Sequence, residues 1–308
     1  MRESSEFISF ISEKSRVKNL NLIGKDVLLH RILREIHSSE LGENYLFKGG
    51  SCLIKCYFGY YRFSVDLDFT WRDQSVWAGL GKSKLRKSLL ARIGEFASLL
   101  ERVSEDAGLR FEAKLEDRNF IEFGGGGRMA TFKLWKGTEL IKVQVVFVEK
   151  MLFKPKVATV KTLLDDVKLT REEKAYFEEF LQFYRPFQVD AYDEREILCE
   201  KVRAILTRKA QKLRDFYDLF MLHQHGFKVE NFRRQIAEKV RAALYYKKYR
   251  EALKRNIERL EVGKEITEDP FERSLFIIKP TDEFDKFLRR ITKTLREMAT
   301  SIHEEKES

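Results

Sequence analysis

The sequence predicts an α+β protein in two parts, a mixed β-sheet with flanking helices followed by a C-terminal helical domain. Three observations carry this. Residues 45–71 read as strand, glycine turn, helix and strand; strand-like segments follow at 109–115, 130–135 and 139–148; and helical periodicity dominates from about residue 157. A boundary near Pro155 divides the chain into residues 1–155 and 156–308. At 308 residues and 43% hydrophobic content, each part can bury a core.

The elements follow in order. Over residues 20–37, Leu22, Val27, Leu28, Leu29, Ile32, Leu33 and Ile36 make one apolar stripe at helical spacing, with Asp26 placed for the first turn. This helix should pack beside the strands that come next. Tyr45–Lys48 is a short strand ending at Gly49-Gly50, and Ser51 can N-cap a helix to about Phe58. A long amphipathic helix over 83–106, with Leu89, Ile93, Phe96, Leu100 and Val103 in phase, should cover one face of the sheet. The glycines at 124–127 and Lys136-Gly137-Thr138 are turns. No Walker-type lysine follows the four glycines, which favours a hairpin tip. Helices are expected over 172–184, 194–208, 213–224, 232–260 and 284–302, with Pro186, Pro270 and Pro280 between them and a frayed tail at 303–308.

Composition narrows the class of protein. Fifty-nine basic against 49 acidic residues, a formal +10, suits polyanionic partners, although a surface laced with ion pairs explains the 35% charged fraction equally well. No apolar run is long enough for a membrane span, and the N-terminus lacks a signal-peptide layout, so a cytoplasmic protein with no membrane partner is expected. Cys52, Cys56 and Cys199 show no paired spacing for a disulfide framework or a zinc site, and the five histidines are scattered without metal spacing.

Chemistry concentrates in Lys48-Gly49-Gly50-Ser51 and Arg62-Phe63-Ser64-Val65-Asp66-Leu67-Asp68. Side chains alternate along a strand, so Asp66 and Asp68 share a face while Leu67 points to the core. Two carboxylates on one face repel unless a cation neutralises them, which marks the pair as candidate Mg²⁺ or Mn²⁺ ligands. The glycine turn leaves backbone N–H groups at a helix N-terminus, where phosphate is favoured, with Gly50 and Ser51 as candidate nucleotide contacts. An ordinary helix cap is the competing account of Ser51. Arg62 and Ser64 fall at alternate positions ahead of the carboxylates, so they face the same way and join the candidate nucleotide contacts; Arg62 can grip a phosphate or pair with Asp66. Downstream, Glu200, Lys201, Ala204 and Arg208 fall on adjacent helical positions, and Arg214, Asp215 and Asp218 open the next helix, so a mixed-charge cluster or plain interhelical ion pairing is expected. The segment 244–250, Leu-Tyr-Tyr-Lys-Lys-Tyr-Arg, can stack and clamp single-stranded RNA, or be half core and half solvated face.

These motifs, with Glu200-Lys201-Val202-Arg203-Ala204, Arg208 and Arg214-Asp215-Phe216-Tyr217-Asp218-Leu219, resemble in order the motif set of the AbiEii/AbiGii toxin family over about residues 20–225. The resemblance implies the DNA polymerase β-like nucleotidyltransferase fold and a phage-defence toxin of an AbiE-type (type IV) toxin–antitoxin system. It implies NTP and Mg²⁺ as substrate and cofactor, an RNA acceptor such as the tRNA 3′ end, and a winged-helix antitoxin. By the same resemblance the C-terminal domain contributes Lys201, which contacts nucleotide phosphates, and Asp215, which activates the attacking hydroxyl or holds the lysine; Arg208 joins the nucleotide contacts. Gln144 departs from the pattern, standing where similar chains carry a third carboxylate. Either two carboxylates suffice with phosphate oxygens and water, or the chain is a degenerate NTP- or RNA-binding protein; a phosphotransferase on another acceptor is a further alternative.

Overall fold

A computed structural model describes residues 2–307. The chain forms two compact units, Met1–Glu149 with Pro155–Ala191, and Lys150–Lys154 with Tyr192–Ser308.

The first unit contains α1 (Arg2–Ser15), α2 (Leu20–Ser38), β1 (Tyr45–Lys48), α3 (Gly49–Cys52), β2 (Asp66–Trp71), α4 (Lys82–Asp106), β3 (Ile121–Gly124), β4 (Met129–Lys136), β5 (Glu139–Val146), β6 (Lys156–Val160), α5 (Arg171–Tyr176), α6 (Glu178–Phe183) and β7 (Phe187–Ala191). Its strands make one seven-stranded mixed sheet in the order β3-β4-β5-β2-β1-β7-β6. The β2–β5 and β1–β7 pairs are parallel. This is the expected α+β class, a mixed sheet with flanking helices.

Alternation in β1 and β2 sorts the sheet into two faces. Leu67 and Phe69 point to the side where Phe96 of α4 meets Tyr45, Phe69 and Phe132 at ring separations of 4.6, 6.2 and 5.1 Å, and where Leu33 and Ile36 of α2 border Phe47 and Phe69. Both helices therefore bury their apolar stripes on one face, as their periodicity required. The polar residues of β2 are left on the other.

Several elements differ from the sequence expectation. The segment 109–115 makes one bridge, Arg110 to Trp135, and the strand beside β4 is Ile121–Gly124. A hairpin closed by the tip at 125–127 costs little loop entropy, so the nearer segment takes the edge of β4. Residues 156–191, expected in the C-terminal helical domain, supply β6 and β7 as well as α5 and α6, and they belong to the sheet-bearing unit. Short segments such as Lys-Val-Ala-Thr-Val carry too little periodicity to stand out beside helices. The helix expected over 172–184 is broken at Phe177, whose ring packs on Phe10 at 4.5 Å and Phe7 at 5.3 Å. Asp26 is not in a helix first turn. It is buried beneath Lys55 (2.7 Å), Tyr60 (3.0 Å) and Tyr184 (2.8 Å), a closed polar network under α2.

His30 of α2 is fully buried, and its Nε2–H donates to the Arg185 carbonyl at 3.0 Å. Burial first, then the nearby Lys55 charge, holds its imidazole well below the ordinary range. The unfolded chain protonates this group near pH 6.5 while the folded chain does not, so its stabilising share is complete above that pH. Below it, stability should fall by up to about 1.4 kcal/mol per pH unit until the folded group also protonates. Urea titrations at about pH 7.5 and pH 5.5 should show this loss, and His30→Gln should remove that part of the slope.

The second unit is helical: α7 (Glu194–Thr207), α8 (Leu213–Gln224), α9 (Arg233–Ala243), α10 (Lys247–Arg259), α11 (Lys264–Thr267), α12 (Pro270–Ser274) and α13 (Asp282–Glu307). The single helix expected over 232–260 is two, turned at residues 244–246, where Arg250 donates to the freed carbonyls of Leu244 (2.8 Å) and Tyr245 (2.9 Å). Asn256, buried, caps the end of α7 by donating to Ile205, Leu206 and Arg208 carbonyls at 2.9–3.1 Å. α13 continues through the tail expected to fray, as far as Glu307; Ser308 lies outside the described residues. Among the described residues no helix is long and apolar enough to cross a membrane.

Candidate functional site

The polar face of the sheet is built around the start of β2. Register partners across a sheet project together. Asp68 lies opposite Lys48 of β1 and Gln144 of β5, while Asp66 lies opposite Lys142 of β5. Two carboxylates, an amide and two lysines thus share one end of one face, with Asp66 and Asp68 both partly exposed. Lys48 is buried, its ammonium 4.0 Å from Glu149. Gln144 donates its amide to the Met129 sulfur at 3.0 Å, and the amide oxygen retains its capacity to accept.

The glycine turn is packed directly on this group. Gly49 has φ +77°, and a Cβ built on it would lie 2.5 Å from Asp68 Oδ2. Only glycine takes that conformation cheaply and leaves room for the carboxylate. Gly49→Ala should therefore destabilise the fold by about 1–3 kcal/mol, and it should weaken any reaction that uses Asp68; thermal melting and activity read the two effects separately.

Ser51 does not N-cap the helix. α3 starts at Gly49 with Lys48 as its cap residue, which puts Ser51 inside the first turn. Its buried hydroxyl donates to the Asp66 carbonyl and meets the Ser64 hydroxyl at 2.5 Å. Ser51 and Ser64 thereby fasten the entry to β2. β2 begins at Asp66, so strand alternation does not extend back to Arg62 and Ser64. Arg62 is buried and donates to the Phe63 carbonyl at 2.8 Å, with its guanidinium 5.8 Å from the Tyr61 ring. A guanidinium so enclosed braces its own loop. Gly50, also buried, lies in the first turn of α3.

In the helical unit, α7 and α8 bring Lys201, Arg208, Asp215 and Asp218 together. The Lys201 ammonium lies 2.7 Å from Asp215 and 2.6 Å from Asp218, and Arg208 reaches the other Asp215 oxygen at 2.7 Å. Burial alone would raise the Asp215 pKa, but the Lys201 and Arg208 charges outweigh it and hold the carboxyl well below the ordinary range. With both oxygens paired, Asp215 is fitted to hold Lys201 and poorly fitted to accept a proton. Arg214 is separate: it pairs with Glu272 at 2.8 Å, and Glu272 also accepts from the Arg214 N–H.

Sequence reasoning assigned no role to Lys48, Lys142 or Glu149. Period-two reading of β5 places Lys142 and Gln144 on one face, so that signal was present, whereas the pairing of Lys48 with Asp68 depends on register. Among the described residues no group of three or more His, Cys, Asp or Glu side chains could hold a metal. The donors that remain, Asp66, Asp68 and the Gln144 oxygen, still suit a hard cation that takes the rest of its ligands from phosphate and water.

A protein-family model described as nucleotidyl transferase AbiEii toxin, type IV TA system, matches residues 31–302. No curated protein matches the chain. The matched span takes in the glycine turn, the carboxylate strand and the Lys201–Asp215 pair alike, and on that coverage the chain belongs to the AbiEii family of nucleotidyltransferase toxins of type IV toxin–antitoxin systems.

Proposed function

We propose that this nucleotidyltransferase moves an NMP group from an NTP to a hydroxyl of RNA, the tRNA 3′ end being a candidate acceptor, and that Mg²⁺ or Mn²⁺ is required. The observation that carries the reading is the pair Asp66 and Asp68 on one face of β2, with Gly49 pressed against Asp68 and Gln144 beside it. A divalent cation bound there would neutralise charge developing on the transferred phosphoryl group. Asp66, Asp68 and the Gln144 oxygen are its proposed protein ligands. The N–H groups of the α3 first turn, Gly50 among them, are proposed to receive phosphate, with Ser51, Ser64 and Arg62 holding that turn and the entry to β2 in place. Lys142, exposed and opposite Asp66, is suited to a phosphate oxygen. Lys201 is proposed as a further phosphate contact, oriented by Asp215, with Arg208 supporting both.

As the toxin of such a system the chain has an antitoxin partner; we propose that this partner is a winged-helix protein, that the pair acts in phage defence, and that the toxin works in the cytoplasm. Incubation with each labelled NTP and total cellular RNA tests the central reading. Label should enter RNA with Mg²⁺ or Mn²⁺ and be lost with chelator. Absence of label with every NTP and both cations would sink it. Calorimetry would then decide for a degenerate binder if nucleotide still binds without metal and no pyrophosphate appears.

A further inference from the structure

The helical unit has a second charged feature that nucleotide chemistry does not employ. Residues 233–259, covering α9, the turn and α10, hold ten Lys and Arg against three Glu. Lys239 is buried on Glu196, and Arg255 is turned to the Arg208 carbonyl. Most of the others border solvent. Arg233, Arg234 and Arg241 line an open cleft of about 290 Å³ against the end of α13, where Glu305 pairs with Arg241. Lys247, Arg250 and Lys254 line a second cleft of about 370 Å³, with Glu251 and His303. Arg241 of the first and Leu244 of the second are about one helical turn apart, so the clefts flank a single corner.

Tyrosines sit on that corner. Tyr245 is 72% exposed and lies edge-on to Tyr246 at 5.3 Å. Tyr246 in turn lies edge-on to Tyr249 at 5.8 Å, and the Lys248 ammonium is 4.9 Å from the Tyr249 ring. The exposed Tyr245 ring, with half-buried Tyr246 and Tyr249 behind it and cationic clefts on either side, supplies the two components that hold a single strand: a face on which a base stacks and charges that track phosphates. We propose that the α9–α10 corner docks a single-stranded stretch of the acceptor RNA, an inference that rests on RNA being the acceptor. An acidic protein segment would be attracted by the same cations; the Tyr245 face open beside them favours a strand whose bases stack.

The test is anisotropy of a labelled oligouridylate of about 16 nucleotides, titrated with the full chain over a range of salt. R233Q/R234Q and K247Q/K254Q should each weaken binding about tenfold and lower the log–log salt slope by about one to two. R233K/R234K should bind as the parent does. Tyr245→Ala should weaken binding about fivefold or more with the slope unchanged. The same charge change on α4, K84Q/K87Q, should have no effect, and all variants should melt with the parent. Equal losses in the α4 control would overturn the proposal in favour of general attraction to a basic chain. Competition by polyglutamate, with Tyr245→Ala silent, would overturn it in favour of an acidic protein partner. Asp66→Ala should bind RNA normally. A chain that labels no RNA yet binds oligouridylate through this corner overturns the transfer reading alone. One that labels RNA with an unchanged KM in the corner variants overturns the docking surface alone.

Discussion

Asp68→Asn should reduce nucleotidyl transfer by at least about a hundredfold while leaving the fold intact. The substitution is nearly isosteric, so the contact with Gly49 is preserved and only charge is removed. Asp68 stands between Lys48 and Gln144 in register, and neither neighbour can replace its negative charge. Asp66→Asn should act in the same direction. The complementary substitution, Gln144→Asp, supplies a third carboxylate beside Asp68 and should tighten the dependence on divalent cation, read as a lower concentration for half-maximal activity. An Asp68→Asn variant that transfers label at the parental rate would show that the pair on β2 is not the reacting centre. Growth inhibition on expression gives an independent readout and should disappear with the same substitution.

Lys239→Met should destabilise the helical unit by about 3–5 kcal/mol. Its ammonium is buried 2.6 Å from Glu196 and 3.6 Å from Glu200. Methionine fills the volume but leaves the buried Glu196 carboxylate without this cation, the costly way to break such a pair. Glu196 also accepts the N–H groups of Leu152 and Phe153, both at 2.8 Å, so it ties residues 150–154 to this unit. Replacing lysine and glutamate together, Lys239→Met with Glu196→Gln, should recover part of the loss, because the amide still accepts those N–H bonds and the deeply buried Glu196 charge is gone; Glu200, with its side chain 10% exposed, keeps its charge. Urea unfolding of the single and double variants measures both terms. An undiminished midpoint in Lys239→Met would mean that water reaches the site.

Helices with long stripes were legible because a 3.6-residue period over many residues is hard to produce by chance. α4 and α8 match their expected spans within a residue or so. β1, ending at Gly49-Gly50, was equally plain, whereas the alternation read from Arg62 begins only at Asp66 in β2. Breaks within long helical patterns were not. Phe177 and the turn at 244–246 interrupt segments whose local preference is helical throughout, and what breaks them is packing on α1 in one case and Arg250 capping carbonyls in the other. β6 and β7 were missed for the complementary reason: a strand of five residues exists because neighbouring strands accept it, and its partners are remote in sequence.

The order of chemical groups along the chain determined the family, the two carboxylates on one face of a strand, and the glycine turn before them, since these depend on spacing and backbone preference alone. Only the tertiary structure decided which groups surround them. Strand register set Lys48, Lys142 and Gln144 beside the carboxylates; folding buried Arg62 and Ser51 at the entry to β2; and interhelical pairing set Asp215 on Lys201. Register and burial are properties of segments far apart in sequence meeting in space, and periodicity within one segment carries no record of its partner.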